Sequence, residues 1–194
     1  MAGTARYTAI LDANVMYPVN VFDILAQFCI EGLFTAKWSQ DIDEEWTRNL
    51  LLDRGDLTPE QVLKRCNRQR VAIPDWEVEK EKYQSLIEAL DLPDMDDRHV
   101  LAAAIAGHAD SIVTFNVKDF PSHVLDQYDI EAIHPDNFIC HQLDLIPYQA
   151  LTAIKHIRLR LKNPPYSAQE LLDSYGRSGL ISTVAKLKEA IELI

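Results

Sequence analysis

The chain has 194 residues, 47% of them apolar and 25% charged, with only 6 Gly and 9 Pro. These proportions fit one ordinary globular domain and exclude a collagen-like, low-complexity or disordered chain. Nineteen Lys and Arg stand against 30 Asp and Glu, a formal charge of −11, which taken alone argues against phosphate binding.

Residues 7–12 read as a short buried strand that ends on Asp12. Pro18 opens a helical stretch in which Val21, Leu25 and Phe28 recur at helical spacing until Gly32. Residues 33–37 are a second strand, and Ser39 caps a helix through about Asp53 with Ile42, Trp46 and Leu50 on its apolar face. Thr58-Pro59-Glu60-Gln61 is a capping box that opens a helix to about Val71. Pro74 breaks it, and a charged helix is expected from Trp76 to Leu90. An acidic loop at 91–97 leads into an Ala-rich helix from about Asp97 to His108. Residues 111–115 form a third strand, 122–127 a short helix and 130–133 a fourth strand. From Pro135 onward the pattern is helical, with breaks at Pro147, at Asn163-Pro164-Pro165 and at Gly176. Strands that alternate with helices predict an α/β fold, a mostly parallel sheet flanked by helices, with a helical extension behind it.

Three cysteines with no close pair, and six scattered histidines, fit reduced thiols in a cytoplasmic protein and match no structural zinc spacing. No apolar run reaches the roughly 18 residues of a membrane helix, and the N-terminus lacks the basic-then-apolar pattern of a signal peptide. Gly-rich phosphate loops of the P-loop and dinucleotide kinds are absent from the sequence. The charge is uneven. Residues 1–150 hold 12 basic and 26 acidic side chains, a balance of −14, whereas residues 151–194 hold 7 and 4, a balance of +3.

Acids stand where ligands bind in open α/β sheets, beyond the carboxyl ends of the strands. Asp12 closes the first strand, Asp119 lies past the third, Asp97 starts the helix that feeds it, and Glu45 sits on the helix after the second. Helix phase puts Asp97 on one face with Val100, Leu101 and Ala104, and Glu45 on one face with Ile42, Trp46 and Leu50. The neighbouring acids Asp96 and Glu44 fall off those faces. Two carboxylates about 4 Å apart repel by roughly 4 kcal/mol at an effective dielectric near 20. Four that converge therefore call for protonation or a divalent cation, and an all-oxygen donor set suits Mg²⁺ or Mn²⁺. The plain alternatives are that a lone Asp at a strand end is a helix cap, that His99 and His108 face solvent or pack, and that the basic run at 155–162 is a solvated helix face. As phosphate contacts, the candidates are Lys155, Arg158, Arg160 and Lys162.

Four segments together resemble the PIN-domain ribonucleases, in particular the VapC-type toxins of bacterial toxin–antitoxin pairs. They are LDANVMYP around Asp12, SQDIDEEWTRNL around Glu45, DMDDRHVLAAA around Asp97, and IVTFNVKDFP with Thr114, Asn116 and Asp119. LRLKNPPYSAQELL in the tail is similar to an extension on some such toxins. The resemblance implies a PIN-like domain over 1–133 with four to five parallel strands, and a helical C-terminal extension over 134–194. It implies a Mg²⁺- or Mn²⁺-dependent endoribonuclease with Asp12, Glu45, Asp97 and Asp119 as metal ligands, and Thr114 and Asn116 orienting them. It further implies an RNA substrate, inhibition by a cognate antitoxin protein, and a homodimer. Two rival classes stand beside this. One is an aspartyl-phosphate phosphatase or phosphotransfer domain with Asp12 as nucleophile, for which Asn14 stands where a second acid is expected. The other is a catalytically silent RNA-binding module.

Overall fold

The computed structural model describes residues 7–194; residues 1–6, the start of the expected first domain and of the segment read for a leader, lie outside it. In chain order the elements are β1 (Thr8–Leu11), α1 (Ala13–Met16), α2 (Val19–Ile30), β2 (Thr35–Lys37), α3 (Gln40–Asp53), α4 (Pro59–Ala72), α5 (Lys80–Tyr83), α6 (Arg98–Ala106), β3 (Ser111–Val113), α7 (Ser122–Leu125), β4 (Glu131–Ile133), α8 (Pro135–Leu145), α9 (Pro147–Arg160), α10 (Ala168–Arg177) and α11 (Ile181–Glu189). Single 3-10 turns sit at Ile87–Ala89, Val117–Asp119, Asp126–Tyr128 and Ile191–Leu193.

The sheet has four strands in the order β2-β1-β3-β4, all parallel. Ala9 stands beside Ala36 on one side and Ser111 on the other. Ile10, Leu11, Ile112 and Val113 are fully buried, as parallel strands covered on both faces must be. The chain leaves β1 for β2 on one flank and returns to β3 on the other. The strand order therefore reverses between β1 and β3, and that crevice, at the strands' carboxyl ends, is where such sheets bind ligands.

Capping chemistry starts the helices as read. Ser39 Oγ accepts from Ile42 N at the head of α3, and Thr58 and Gln61 exchange both bonds of a capping box at the head of α4. Two expectations fail. The stretch Trp76–Leu90 is not one helix. Residues 76–78 run extended beside the end of β2, with Trp38 N donating to Trp76 O (2.8 Å) and Val78 N to Trp38 O (2.9 Å). Trp76 stacks on Trp38 at 5.0 Å between centroids, and the Arg70 guanidinium lies over the Trp76 ring at 4.9 Å. Trp76 and Val78 are buried and Glu77 is exposed, a period of two hidden among charged residues. The helical break in the tail falls at Gly179 rather than Gly176. Gly179 has φ +83°, a left-handed stop that glycine takes without penalty, while Gly176 lies inside α10. Gly107, just past α6, has a different reason to be glycine: a Cβ there would stand 2.9 Å from both Ala103 O and Val78 Cγ2.

Helices α8–α11 pack on one another, and α8, α9 and α10 on α2. Phe138 of α8 meets Phe34 edge-on at 4.8 Å. From α9, Arg160 donates to Gln27 Oε1 (2.6 Å) and Asp23 Oδ1 (3.0 Å) on α2. The N-terminus of α11 hangs on Asp136 in the first turn of α8, whose carboxylate accepts from Ser182 N (2.7 Å) and Thr183 N (2.8 Å). Those donors hold the Asp136 carboxyl below its usual range, against the opposing effect of its burial. Asp136→Ala strands two helix-end N–H groups, and each charge-assisted bond contributes about 1.5–3 kcal/mol. The variant is expected to lose about 2–4 kcal/mol of stability in urea unfolding; an unchanged midpoint would show that α11 is held by packing alone.

Candidate active site

The site grows from the end of β1. Asp12 is 3% exposed and caps α1, its Oδ1 accepting from Ala13 N at 2.6 Å. Its Oδ2 accepts from Asn14 Nδ2 (2.6 Å) and from the Thr114 hydroxyl (2.7 Å). Thr114 stands at the end of β3, the neighbouring strand, and its Oγ1 also accepts from Asn14 Nδ2 and Asn116 N, both at 2.9 Å. Asn14 Oδ1 takes Phe115 N at 3.0 Å. One donor and two acceptor roles saturate the hydroxyl, so Asp12, Asn14 and Thr114 form a rigid staple across the reversal of strand order. Burial raises the Asp12 carboxyl to about 6; the Glu45 charge adds to that, while the Thr114 and Ala13 donors work against it.

Asp12, Glu45 and Asp97 line one cavity of about 410 Å³, with Asn14, Asn49 and Asn116. A second cavity, of about 600 Å³, shares Glu45, Asn49, Asp97 and Asn116 and adds Asp41, Glu44, Asp94, Asp96, Arg48 and His99. The two are lobes of one acidic cleft, divided by Glu45 and Asp97. Asp97 occupies the N-cap position of α6 but makes no side-chain cap bond. Its carboxyl is raised to about 7, first by burial and then by the charges of Asp12, Asp94, Asp119 and Glu45. Of the adjacent acids, Glu44 and Asp96 are exposed, whereas Glu45 and Asp97 are partly buried; Glu44 is held by Gln40 Nε2 at 3.0 Å. Asp119, in the 3-10 turn after β3, lines neither cavity and joins the others through its field on Asp97.

Some residues escaped the reading of the sequence. His99 does not face solvent: it is half-buried, lines the larger cavity, and its Nε2 pairs with Glu45 Oε2 at 3.2 Å. Its Nδ1 is buried without a partner, which fits the tautomer that donates from Nε2 to the glutamate. Helix spacing of His99 to Asp97 gave no warning, because the partner lies on α3. Asp43, also on α3, is the most buried acid of that helix at 2%. It is a structural ion, held by Arg70 Nε (2.9 Å) and Trp46 Nε1 (2.8 Å). Lys155, Arg158, Arg160 and Lys162 line neither lobe. Arg158 donates to Tyr166 O (3.4 Å) and Arg160 is engaged with α2.

The donor set is carboxylate and amide oxygen, the set a hard divalent cation prefers. Among the described residues no three His, Cys, Asp or Glu side chains stand as a ready-made metal cage. An ion such as Mg²⁺ keeps several waters and needs one or two carboxylates directly, a demand that the shared lining of Asp12, Glu45 and Asp97 meets. An aspartyl-phosphate chemistry fits less well, since Asn14, which stands where a second acid is expected, is spent as a donor to Asp12 and Thr114.

A family profile described as "PIN domain" matches residues 8–118, and one described as "VapC50 C-terminal domain" matches residues 135–189. Over 94 residues the chain is 42% identical to the protein named "Putative ribonuclease VapC50" of Mycobacterium tuberculosis; the match takes in 48% of this chain and 55% of that protein. The chain thus spans about half the length of the curated relative it matches. No solved structure matches the chain.

A raised carboxyl binds its proton more tightly in the folded than in the unfolded state. It therefore costs no stability below the unfolded value near 4, and the cost grows as pH rises through about 7. With divalent ions chelated, Asp97→Asn is expected to raise stability at pH 8 by about 1–2 kcal/mol after solvent screening, or roughly 2–6 °C in Tm. The gain should fade towards pH 4. A Tm difference that is flat in pH would show that Asp97 is not electrostatically strained.

Proposed function

The chain belongs to the PIN-domain family, and from that premise we propose that it is a divalent-metal-dependent endoribonuclease and the toxin of a toxin–antitoxin pair. The observation that carries the reading is the meeting of Asp12, Glu45 and Asp97 on one cavity at the reversal of strand order, with two of the three carboxyls raised. The ribonuclease name of the Mycobacterium tuberculosis relative supports it. RNA is the substrate, a cognate antitoxin and a second copy of the chain are the protein partners, and the cytoplasm is the place of work. No helix among the described residues is long and apolar enough to cross a membrane.

Asp12, Glu45 and Asp97 would hold Mg²⁺ or Mn²⁺, with Asp119 contributing charge. Such an ion, when bound, neutralises developing charge on a phosphate and makes water a better nucleophile near neutral pH. The chain supplies the rest. The Thr114–Asn14 staple keeps Asp12 in one orientation and spares it any reorganisation. His99 holds one oxygen of Glu45, leaving the other to orient the attacking water and take its proton. Water oxygen bonds to phosphorus on one side as the bond to the leaving ribose oxygen breaks on the other, and that oxygen takes a proton from solvent. Asn116, exposed in the lining of both lobes, is placed to meet a phosphate oxygen or the water.

Cleavage of total RNA by the purified protein with Mg²⁺, with Mn²⁺ and with EDTA tests this. Wild type should cleave with either ion and not with EDTA. Asp97→Asn and Glu45→Gln should each lose more than about 100-fold in rate. Cleavage that persists in EDTA, or at wild-type rate in Asp97→Asn, would overturn the assignment.

A further inference from the structure

A phosphate strand has to enter a cleft whose lining holds eight carboxylates: Asp12, Asp53, Asp41, Glu44, Asp94 and Asp96, together with Glu45 and Asp97 between the lobes. Each phosphate that approaches such a surface is repelled, and divalent ions at the floor offset the charge only where they sit. Affinity for a nucleic-acid strand comes chiefly from cationic side chains on its phosphates. The tail residues with the right charge do not reach this cleft, as described above. Among the residues that line it there is a single Lys or Arg, Arg48.

Arg48 lies on α3, three residues past Glu45 and so on the next turn of the same side of the helix. It is exposed. With Asp41, Glu44 and Asp94 around the same lobe, a surface arginine would ordinarily be drawn into an ion pair. Asp41 is instead taken by Lys80 Nζ (2.7 Å) and the Tyr83 hydroxyl (2.8 Å), and Glu44 by Gln40. Among the described residues the Arg48 side chain makes no hydrogen bond or ion pair. Its guanidinium is therefore a cation held over an acidic cleft with its donors unspent, and its planar fork matches two oxygens of one phosphate. Asn49, the next residue, lines both lobes and adds a neutral donor.

Resting on the nuclease reading above, we propose that Arg48 is the phosphate-positioning residue of this site. It binds the substrate strand's backbone in the larger lobe, on a phosphate next to the one that is cut, and thereby sets how the strand crosses Glu45 and Asp97. The recognised chemistry is a phosphodiester of single-stranded RNA, irrespective of base. Arg48 touches no reacting atom and is not a catalytic residue.

The test compares wild type, Arg48→Gln, Arg48→Lys and, as a control in the tail, Lys162→Gln. Two readouts are taken over a range of salt: steady-state cleavage with Mn²⁺, and binding of labelled single-stranded RNA oligonucleotides of two unrelated sequences by fluorescence anisotropy. Arg48→Gln should raise KM and weaken binding by about 5–10-fold, equally for both sequences, with kcat within about twofold. The slope of log affinity against log salt should become shallower by about 0.7, the value for one contact on a single strand. Arg48→Lys should restore the slope and part of the affinity. Melting temperatures should not move, since the side chain is exposed and unbonded. Unchanged KM, binding and salt slope in Arg48→Gln would overturn the proposal, as would a loss confined to one sequence or a fall in kcat alone. Wild type that binds RNA with this Arg48 dependence but cuts none with either ion would retain the contact and overturn the nuclease reading instead.

Discussion

Mutual repulsion among carboxylates is the constraint around which this molecule is organised. Asp12, Glu45 and Asp97 arrive from three separate segments, yet the fold directs all of them to the crevice between β1 and β3. Burial and neighbouring charge hold the Asp12 and Asp97 carboxyls well above their ordinary values. A fold selected only for stability would put a Lys or Arg among them or leave them exposed. The structure does so elsewhere: Asp43 has Arg70 and Asp41 has Lys80. The contrast between these neutralised acids and the strained ones separates scaffold from site inside a single acidic chain.

The strain is tolerable because the backbone around it is over-determined. Asp12 N donates to Val113 O, and the Thr114 and Asn14 side chains close a ring of hydrogen bonds across the same two strands. A carboxylate that three donors fix cannot swing away from its neighbours, so the charge density is a property of the ground state. Glu45 is treated more lightly, with one histidine on one oxygen, and Asp97 has no cap bond to leave. The three acids thus span a gradient from fixed to free, which is what a cation with a demanding geometry and several waters can use.

Much of this was legible in the residues. Caps and glycine stops placed most helices, short apolar runs placed the four strands, and their alternation gave a parallel sheet. Helix phase distinguished Glu45 from Glu44 and Asp97 from Asp96 as the inward-leaning members, and the burial of each pair follows that phase. The misses have a common origin. His99 meets a glutamate 54 positions away, and Asp43 meets an arginine 27 positions away. No periodicity carries such pairings, because they depend on how two helices cross. The stretch from Trp76 to Val78 was obscured differently: its two-residue alternation is only three residues long and is set among charges that read as helix. The basic tail was charge without position, and packing against α2 is what claims Arg160.

The tie between Asp136 and the start of α11 has a bearing on shortened forms of the chain. Asp136 stands three residues after β4, where the sheet ends, and is 6% exposed. Removing the last helix would not trim a loose appendage. It would take from the Asp136 carboxylate the two amide donors that hold it ionised and uncover the face of α8 on which α11 packs, so that water would have to replace both.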